Sequence, residues 1–215
     1  MNTLSTRKII FLVALFSATL IGLLFFSHLR KAPIHTTLSN DAGTIFPLAR
    51  DIQSFHLMAM DQTPFTRDRF LNHFTLLFFG FTHCGNICPT TLDLLNRVYT
   101  KLQPDYPNLQ VVFISLDPDR DTPKTLTKYT QSFNKNFIGV TGQLQDIRKL
   151  QSQLGIFAAR DDSSMMSHNY QLQHTSSILL INPKGQWAGL FKYGMNPTQF
   201  ISAFKESVNS LSQSG

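Results

Sequence analysis

The chain has two cysteines, four residues apart in Phe81-Thr82-His83-Cys84-Gly85-Asn86-Ile87-Cys88-Pro89. Side chains at this spacing on a helix lie about 6 Å apart or less. Two sulfurs so placed can close a disulfide with slight adjustment or hold one metal ion between them. Thiolate is the form that attacks disulfides and binds soft metals. A helix N-terminus favours it through unpaired N–H groups and the helix dipole. As a purely structural bridge the pair would contribute little, because closing so short a loop removes little chain entropy. The sulfurs are therefore read as reactive.

The elements that must position them follow from the hydrophobic pattern. Three short apolar runs, Leu76 to Phe81, Val111 to Leu116 and Ile178 to Ile181, are continuous rather than alternating, as in strands covered on both faces. The cysteines follow the first run directly. Leu92, Leu95, Tyr99 and Leu102 then recur at helical spacing, so the pair sits at a strand-to-helix junction. Leu144, Ile147, Leu150 and Leu154 form a second helical stripe, closed by Gly155. Asn196 and Pro197 open a last helix carrying Phe200, Ile201, Phe204, Val208 and Leu211. Asp61 to Pro64 turns a hairpin between Phe55–Met60 and Phe65-Thr66, and Asn182-Pro183-Lys184-Gly185 turns another into Gln186–Tyr193. The order predicts an α/β domain, a mixed central sheet flanked by helices, over residues 52–215.

Several stretches are then more specific. Phe79-Gly80-Phe81-Thr82-His83-Cys84-Gly85-Asn86-Ile87-Cys88-Pro89-Thr90-Thr91-Leu92 resembles the signature of the Sco (SenC-type) family, thioredoxin-like copper proteins that help assemble the copper A centre of cytochrome c oxidase. Ile114-Ser115-Leu116-Asp117-Pro118-Asp119-Arg120-Asp121-Thr122-Pro123 resembles the family's Asp-Pro-x-Arg-Asp-Thr-Pro segment. Ile138-Gly139-Val140-Thr141-Gly142 and Tyr170-Gln171-Leu172-Gln173-His174-Thr175-Ser176, the latter followed by a strand and Asn182–Gly185, continue the resemblance in order. It runs from about Phe55 to the last helix. It implies a thioredoxin-like fold and one copper ion, Cu(I) or Cu(II), held by Cys84, Cys88 and His174. It also implies transfer to the copper-binding subunit of cytochrome c oxidase, with an upstream protein as copper donor. Two thiolates suit Cu(I), and an added imidazole suits the same site to Cu(II).

The chain departs from the family in one place: Gln173 stands where the residue before the histidine is usually Asp, so a charge beside the ligand is missing. His83 adjoins the first cysteine, and Met165, Met166 and His168 lie in a loop upstream of His174, where soft sulfur could assist copper transfer. Asp117, Asp119, Arg120 and Asp121 read first as a capped turn before a helix beginning near Pro123.

The strongest rival is a thiol–disulfide oxidoreductase in which Cys84 and Cys88 are a redox-active pair reducing cysteines of a target. The wider spacing than Cys-x-x-Cys, and a histidine with no task in such an enzyme, argue against it. A peroxidase would carry Thr three residues before its reactive Cys, where Gly85 stands. A structural zinc site needs a fourth protein ligand, for which His83 and His168 are weak choices.

The net charge of +6 does not indicate nucleic acid. Arg7, Lys8, Arg30 and Lys31 bracket an uncharged run from Ile9 to Phe26, and the remaining charges nearly balance. That run rises about 27 Å as a helix, close to the roughly 30 Å of a bilayer core. It ends in Phe25 and Phe26 without small residues for cleavage. Residues 1–31 therefore read as a retained single-pass anchor in the cell inner membrane, with the C-terminal domain on the non-cytoplasmic, periplasmic side. Residues 32–51, rich in Pro, Thr, Ser, Asn, Asp and Gly, read as a linker.

Overall fold

The apolar runs are continuous because the strands they form are covered on both faces. The structure is a computed structural model that describes residues 10–11, 15–23, 36–37, 42–160 and 170–213. The chain divides into two units, Met1–Ile34 and His35–Gly215.

In the first unit residues 10–11 and 15–23 are helical, and Ile10, Phe11, Leu15, Phe16, Leu20, Ile21 and Leu23 are exposed. Among the described residues no helix is long and apolar enough to cross a membrane. The basic residues expected to flank the anchor lie outside the described residues.

The second unit holds strands β1 (Thr36–Thr37), β2 (Gly43–Asp51), β3 (Leu57–Ala59), β4 (Pro64–Phe65), β5 (Phe74–Gly80), β6 (Leu109–Ser115), β7 (Ile138–Thr141), β8 (Ala158–Arg160), β9 (Leu172–His174), β10 (Ile178–Ile181) and β11 (Gln186–Phe191). Its helices are α1 (Ile87–Leu102), α2 (Pro123–Phe133), α3 (Leu144–Gln153) and α4 (Pro197–Gln213). Among the described residues the main sheet runs β1-β2-β11-β10-β5-β6-β7-β3-β4, and β8 with β9 forms a separate two-stranded ribbon. β5, β6 and β7 are parallel neighbours, whereas β10 pairs antiparallel with β5.

Successive residues of β5 point to opposite faces. Leu76 and Phe78 enter the core beneath α1 and α4, with Leu92, Leu95, Val98, Phe200 and Phe204. Leu77 and Phe79 enter the other, with Ile147 and Leu150 of α3, Phe55, Phe65 and Phe70. All four β5 side chains are fully buried. Burial of each contributes about 1.5–3 kcal/mol. The layers fix where the cysteines emerge: β5 is central, and its C-terminal end opens onto the start of α1.

Local signals agree. Asn196 Oδ1 accepts from the Gln199 N–H at 3.0 Å while Gln199 Oε1 accepts from the Asn196 N–H at 3.1 Å, a reciprocal cap that starts α4. Thr122 Oγ1 accepts from the Thr125 N–H and starts α2 beside Pro123. Gly155, just past α3, takes φ +62°.

The expected linker over 32–51 is corrected for residues 43–51, while residues 32–35 and 38–41 lie outside the described residues. Residues 43–51 are a strand of the main sheet, paired with β11, and Ile45, Phe46 and Ile52 are core. Pro47 lies between Ile45 and Arg50, where a bulge interrupts the pairing, so its missing N–H removes no ladder bond.

Candidate metal centre

Cys84 lies in the loop after β5, and Cys88 is the second residue of α1. The first turn of a helix has N–H groups without intrahelical partners. One of them, on Cys88, donates to Cys84 Sγ at 3.4 Å. The helix start thus points an amide at the outer sulfur, which is partly exposed, while the Cys88 sulfur is enclosed and its residue fully buried. Both are free thiols.

The buried sulfur has a tailored seat. A Cβ on Gly80 would lie 2.8 Å from Cys88 Sγ and 2.7 Å from the Phe113 ring, so only glycine ends β5 without displacing one of them. Burial pushes the Cys88 thiol well above its ordinary value, with the neighbouring Cys84 acting in the same direction. The helix start was expected to favour thiolate at both positions. At Cys88 desolvation outweighs it, and the metal-free residue is a neutral thiol.

His174 ends β9 and meets the cysteines from the ribbon. Its Nδ1 stands 2.9 Å from the Thr175 carbonyl oxygen, which only accepts, so Nδ1 carries the hydrogen of the neutral ring. Nε2 is left with its lone pair facing Cys88 Sγ at 3.6 Å. Burial holds the imidazole below its ordinary value, partly opposed by the Thr175 hydrogen bond. A neutral ring beside a neutral thiol is self-consistent: Cys88 S–H donates to Nε2. Phe78 and Phe81 stand edge-on to the imidazole, each with ring centroids 6.0 Å away, and restrict its swing.

The ligand atoms of Cys84, Cys88 and His174 all lie within 4.8 Å of one another. Bonds of about 2.3 Å to sulfur and 2.0 Å to imidazole nitrogen, meeting at roughly 110–120°, put the two donors about 3.5–3.7 Å apart. The observed 3.6 Å suits Cys88 and His174 to share one metal ion, with the Cys84 sulfur within 4.8 Å of both donors. Two soft donors and one borderline nitrogen suit Cu(I), Cu(II) or zinc by type, and three ligands leave a position open. A depression of about 510 Å³ lined by Phe81, Cys84, Ile87, Gln171, Gln173 and His174 gives access to that side.

The remaining predicted residues fall around this centre. Gln173 is exposed and lines the depression. His83 is about half exposed, its Nδ1 3.2 Å from Thr82 Oγ1 and 3.9 Å from Asp121. Met165, Met166 and His168 lie outside the described residues. The acidic turn is structural, as expected, but it also supports the site. Asp121, fully buried, accepts from Thr82 N–H at 3.1 Å, Thr82 Oγ1 at 2.5 Å and Ser115 Oγ at 2.6 Å. Thr82, two residues before Cys84, was not singled out by the sequence reading. Its type carries no signal until the fold brings it to Asp121.

A mixed sheet with a dithiol at the strand-to-helix junction and a histidine over it defines a thioredoxin-like protein with a candidate cysteine–histidine metal centre. The family can be given more closely. The SCO1/SenC family profile matches residues 47–209, and the chain belongs to that family. A SCO2-like protein of Rickettsia prowazekii is 32% identical over 70% of this chain and 74% of its own length. The crystal structure of yeast Sco1 with copper bound superposes with a TM-score of 0.68 at 28% identity, covering 74% of this chain and 88% of that one. The structure of Bradyrhizobium japonicum ScoI with copper bound does so with a TM-score of 0.65 at 28% identity, covering 72% of this chain and 98% of that one.

Proposed function

We propose that the protein is a copper metallochaperone that holds one copper ion through Cys84, Cys88 and His174. It delivers the ion to the copper-binding subunit of a cytochrome c oxidase, where the copper A centre is built. The observation that carries this reading is the 3.6 Å approach of an unprotonated Nε2 to the Cys88 sulfur, with Cys84 beside both. Copper-bound relatives of the same fold support the choice of copper over zinc. The asymmetry of the site suits a carrier. Cys88 stays enclosed and retains the ion, whereas the half-buried Cys84 and His174 face the depression, where an incoming cysteine or histidine can replace them one at a time. The apolar run from Ile9 to Phe26 supports a single-pass anchor that keeps the C-terminal unit on the non-cytoplasmic side of the inner membrane, in reach of an oxidase and of a copper donor there.

The test is copper stoichiometry and retention of the reduced protein with Cu(I) and with Cu(II), beside His174→Ala. One ion per chain is expected in each state, with a thiolate absorption band for Cu(II) and selective loss of Cu(II) in the variant. Weak copper binding that ignores His174, joined to rapid reduction of disulfides, would replace the chaperone with an oxidoreductase. One observation favours that second reading: the exposed Cys84 sulfur, hydrogen-bonded by a helix-start amide, is placed to attack a target disulfide.

A pH effect follows from the protonation states. With the Cys88 thiol raised and the His174 imidazole lowered, the neutral-pH apo site holds a proton on Cys88 that copper must displace. Copper uptake at pH 7 is expected to release at least about one proton per ion, and affinity to fall about tenfold for each pH unit lowered. Calorimetry in two buffers of different ionisation enthalpy reads the proton count, and a count of zero contradicts the assignment.

A further inference from the structure

The ribbon carrying His174 stands apart from the main sheet: among the described residues β9 pairs with β8 alone, Ala158 opposite His174 and Arg160 opposite Leu172. A two-stranded ribbon by itself is marginal in water. The Thr175 N–H donates to the Phe157 carbonyl and the Phe157 N–H to Thr175 Oγ1, both at 3.0 Å, but these bonds close the ribbon on itself. The position of the imidazole therefore depends on how the ribbon is fastened to the rest of the fold.

Beside the packing of Leu172 against both cores, polar contacts fasten the ribbon at Tyr170, two residues before β9. Its hydroxyl donates to Asp117 Oδ1. Its carbonyl accepts from Arg120 at 3.1 Å. Two guanidinium groups lie against its ring, Arg120 at 3.6 Å and Arg160 at 3.7 Å from the centroid. The receiving side is rigid: Asp117 is buried, its N–H donates to Ser115 Oγ at 2.9 Å, and its other oxygen accepts from Arg120 Nε at 2.5 Å. A hydroxyl donating to a carboxylate is stronger than a neutral pair, and stacked guanidinium adds attraction to the ring. By contrast, another polar link, Gln171 Nε2 to the His83 carbonyl, is long at 3.4 Å and exposed.

We propose that Tyr170 is the positioning residue of the metal centre, a latch that docks the His174 ribbon on the turn after β6 and so sets the distance from Nε2 to the Cys88 sulfur. The same turn holds the cysteine loop through Asp121 and Thr82, so one short segment, Ser115 to Asp121, references both halves of the site. Among the described residues the hydrogen bonds and ring contacts of Tyr170 go to Asp117, Arg120 and Arg160 and to none of Cys84, Cys88 and His174. Tyr170 acts through the ribbon, and its loss withdraws imidazole while leaving both sulfurs in place. The consequence for copper rests on the copper reading above; the latch itself does not.

The experiment compares Tyr170→Ala and Tyr170→Phe with the wild type in two readouts. In the metal-free protein, amide hydrogen exchange at residues 172–175 is expected to accelerate in Tyr170→Ala, with β5 and β6 unchanged. Tyr170→Phe, which keeps the ring but not the hydroxyl, is expected to fall between. In copper titrations, Cu(II) affinity of Tyr170→Ala is expected to drop about ten- to a hundredfold, as when a group orienting a ligand is removed. Cu(I) affinity, set by the two thiolates, should change far less. Unchanged exchange in the ribbon overturns the latch. So does accelerated exchange with Cu(II) affinity equal to wild type, and so does an equal loss of both copper states. If the wild type binds no Cu(II), the copper reading fails and the exchange readout alone decides the latch.

Discussion

Cys88→Ser is expected to abolish copper retention in both oxidation states while leaving the fold standing. The side chain is fully enclosed, so the variant removes a soft donor without opening a route for water to replace it. Serine is smaller than cysteine, so it fits the seat that Gly80 leaves open without displacing a neighbour. Its hydroxyl can donate to His174 Nε2 as the thiol does, so no buried polar group is orphaned. Stability should therefore shift by less than about 1.5 kcal/mol, the range of near-isosteric core changes. Copper affinity should fall by more than about a hundredfold, beyond what loss of an orienting neighbour alone costs. The measurement is competition against a Cu(I) chelator beside a thermal unfolding curve. Retention of Cu(I) within tenfold of wild type would move the centre away from Cys88.

Cys84→Ser makes the informative partner to that variant. Its sulfur is partly exposed and is itself the acceptor for a helix-start amide, a role that a serine oxygen fills well. Both serine variants leave one thiolate, and one thiolate is a poor site for Cu(I). The two differ in what remains: an enclosed sulfur with imidazole when Cys84 is lost, an exposed sulfur when Cys88 is lost.

The fold was legible wherever one residue type had one physical meaning. The continuous runs of β5, β6 and β10 marked strands covered on both faces, and the helical stripes of α1, α3 and α4 marked single buried faces. Pro197 after Asn196 and Gly155 after Leu154 marked ends for stereochemical reasons that no tertiary context overrides. Strand β2 was hidden because Gly43, Thr44 and Pro47 are loop formers by themselves. What makes them a strand is pairing with β11, distant in sequence. The ribbon β8–β9 was hidden for the opposite reason: three-residue strands of half-buried side chains leave no period to read.

The centre divides in the same way. Cys84 and Cys88 were legible from spacing alone, since four residues at a strand-to-helix junction bring two sulfurs together. His174 was not, because its place over the sulfurs depends on β10 lying beside β5 and on the ribbon fold. The resemblance to a known family supplied it. Charge neutrality at Cys88 was illegible too, because desolvation by Phe113 and the α1 layer is a property of packing.

Asp121→Ala is expected to be the most destabilising single change near the site, and Asp121→Asn among the mildest. In the alanine variant Ser115 Oγ and the Thr82 N–H lose their buried acceptor together. Each such loss costs about 1–3 kcal/mol, so a total of about 2–6 kcal/mol is expected. For a chain of this size that lowers Tm by about 4–24 °C. Copper retention should weaken as well, because Thr82 leads directly into the cysteine loop. Asparagine can keep the arrangement: its oxygen accepts from Ser115 and the Thr82 N–H, and its amide donates to Thr82 Oγ1. The two side chains then differ mainly in charge, which fixes a pH signature. Burial raises the Asp121 carboxyl above its ordinary value, with the Ser115 and Thr82 hydrogen bonds opposing it. A raised folded-state value means that the native protein holds the proton more tightly than the unfolded chain. Its contribution to stability is therefore full below the ordinary carboxylate range and lost as pH rises through the raised value. Asparagine has no such loss. The Tm of Asp121→Asn minus that of the wild type should increase from acid toward neutral pH, with all other titrations cancelling in the difference. A difference that falls over that range would show that the three hydrogen bonds outweigh burial. The carboxylate would then stabilise the turn in its ionised form.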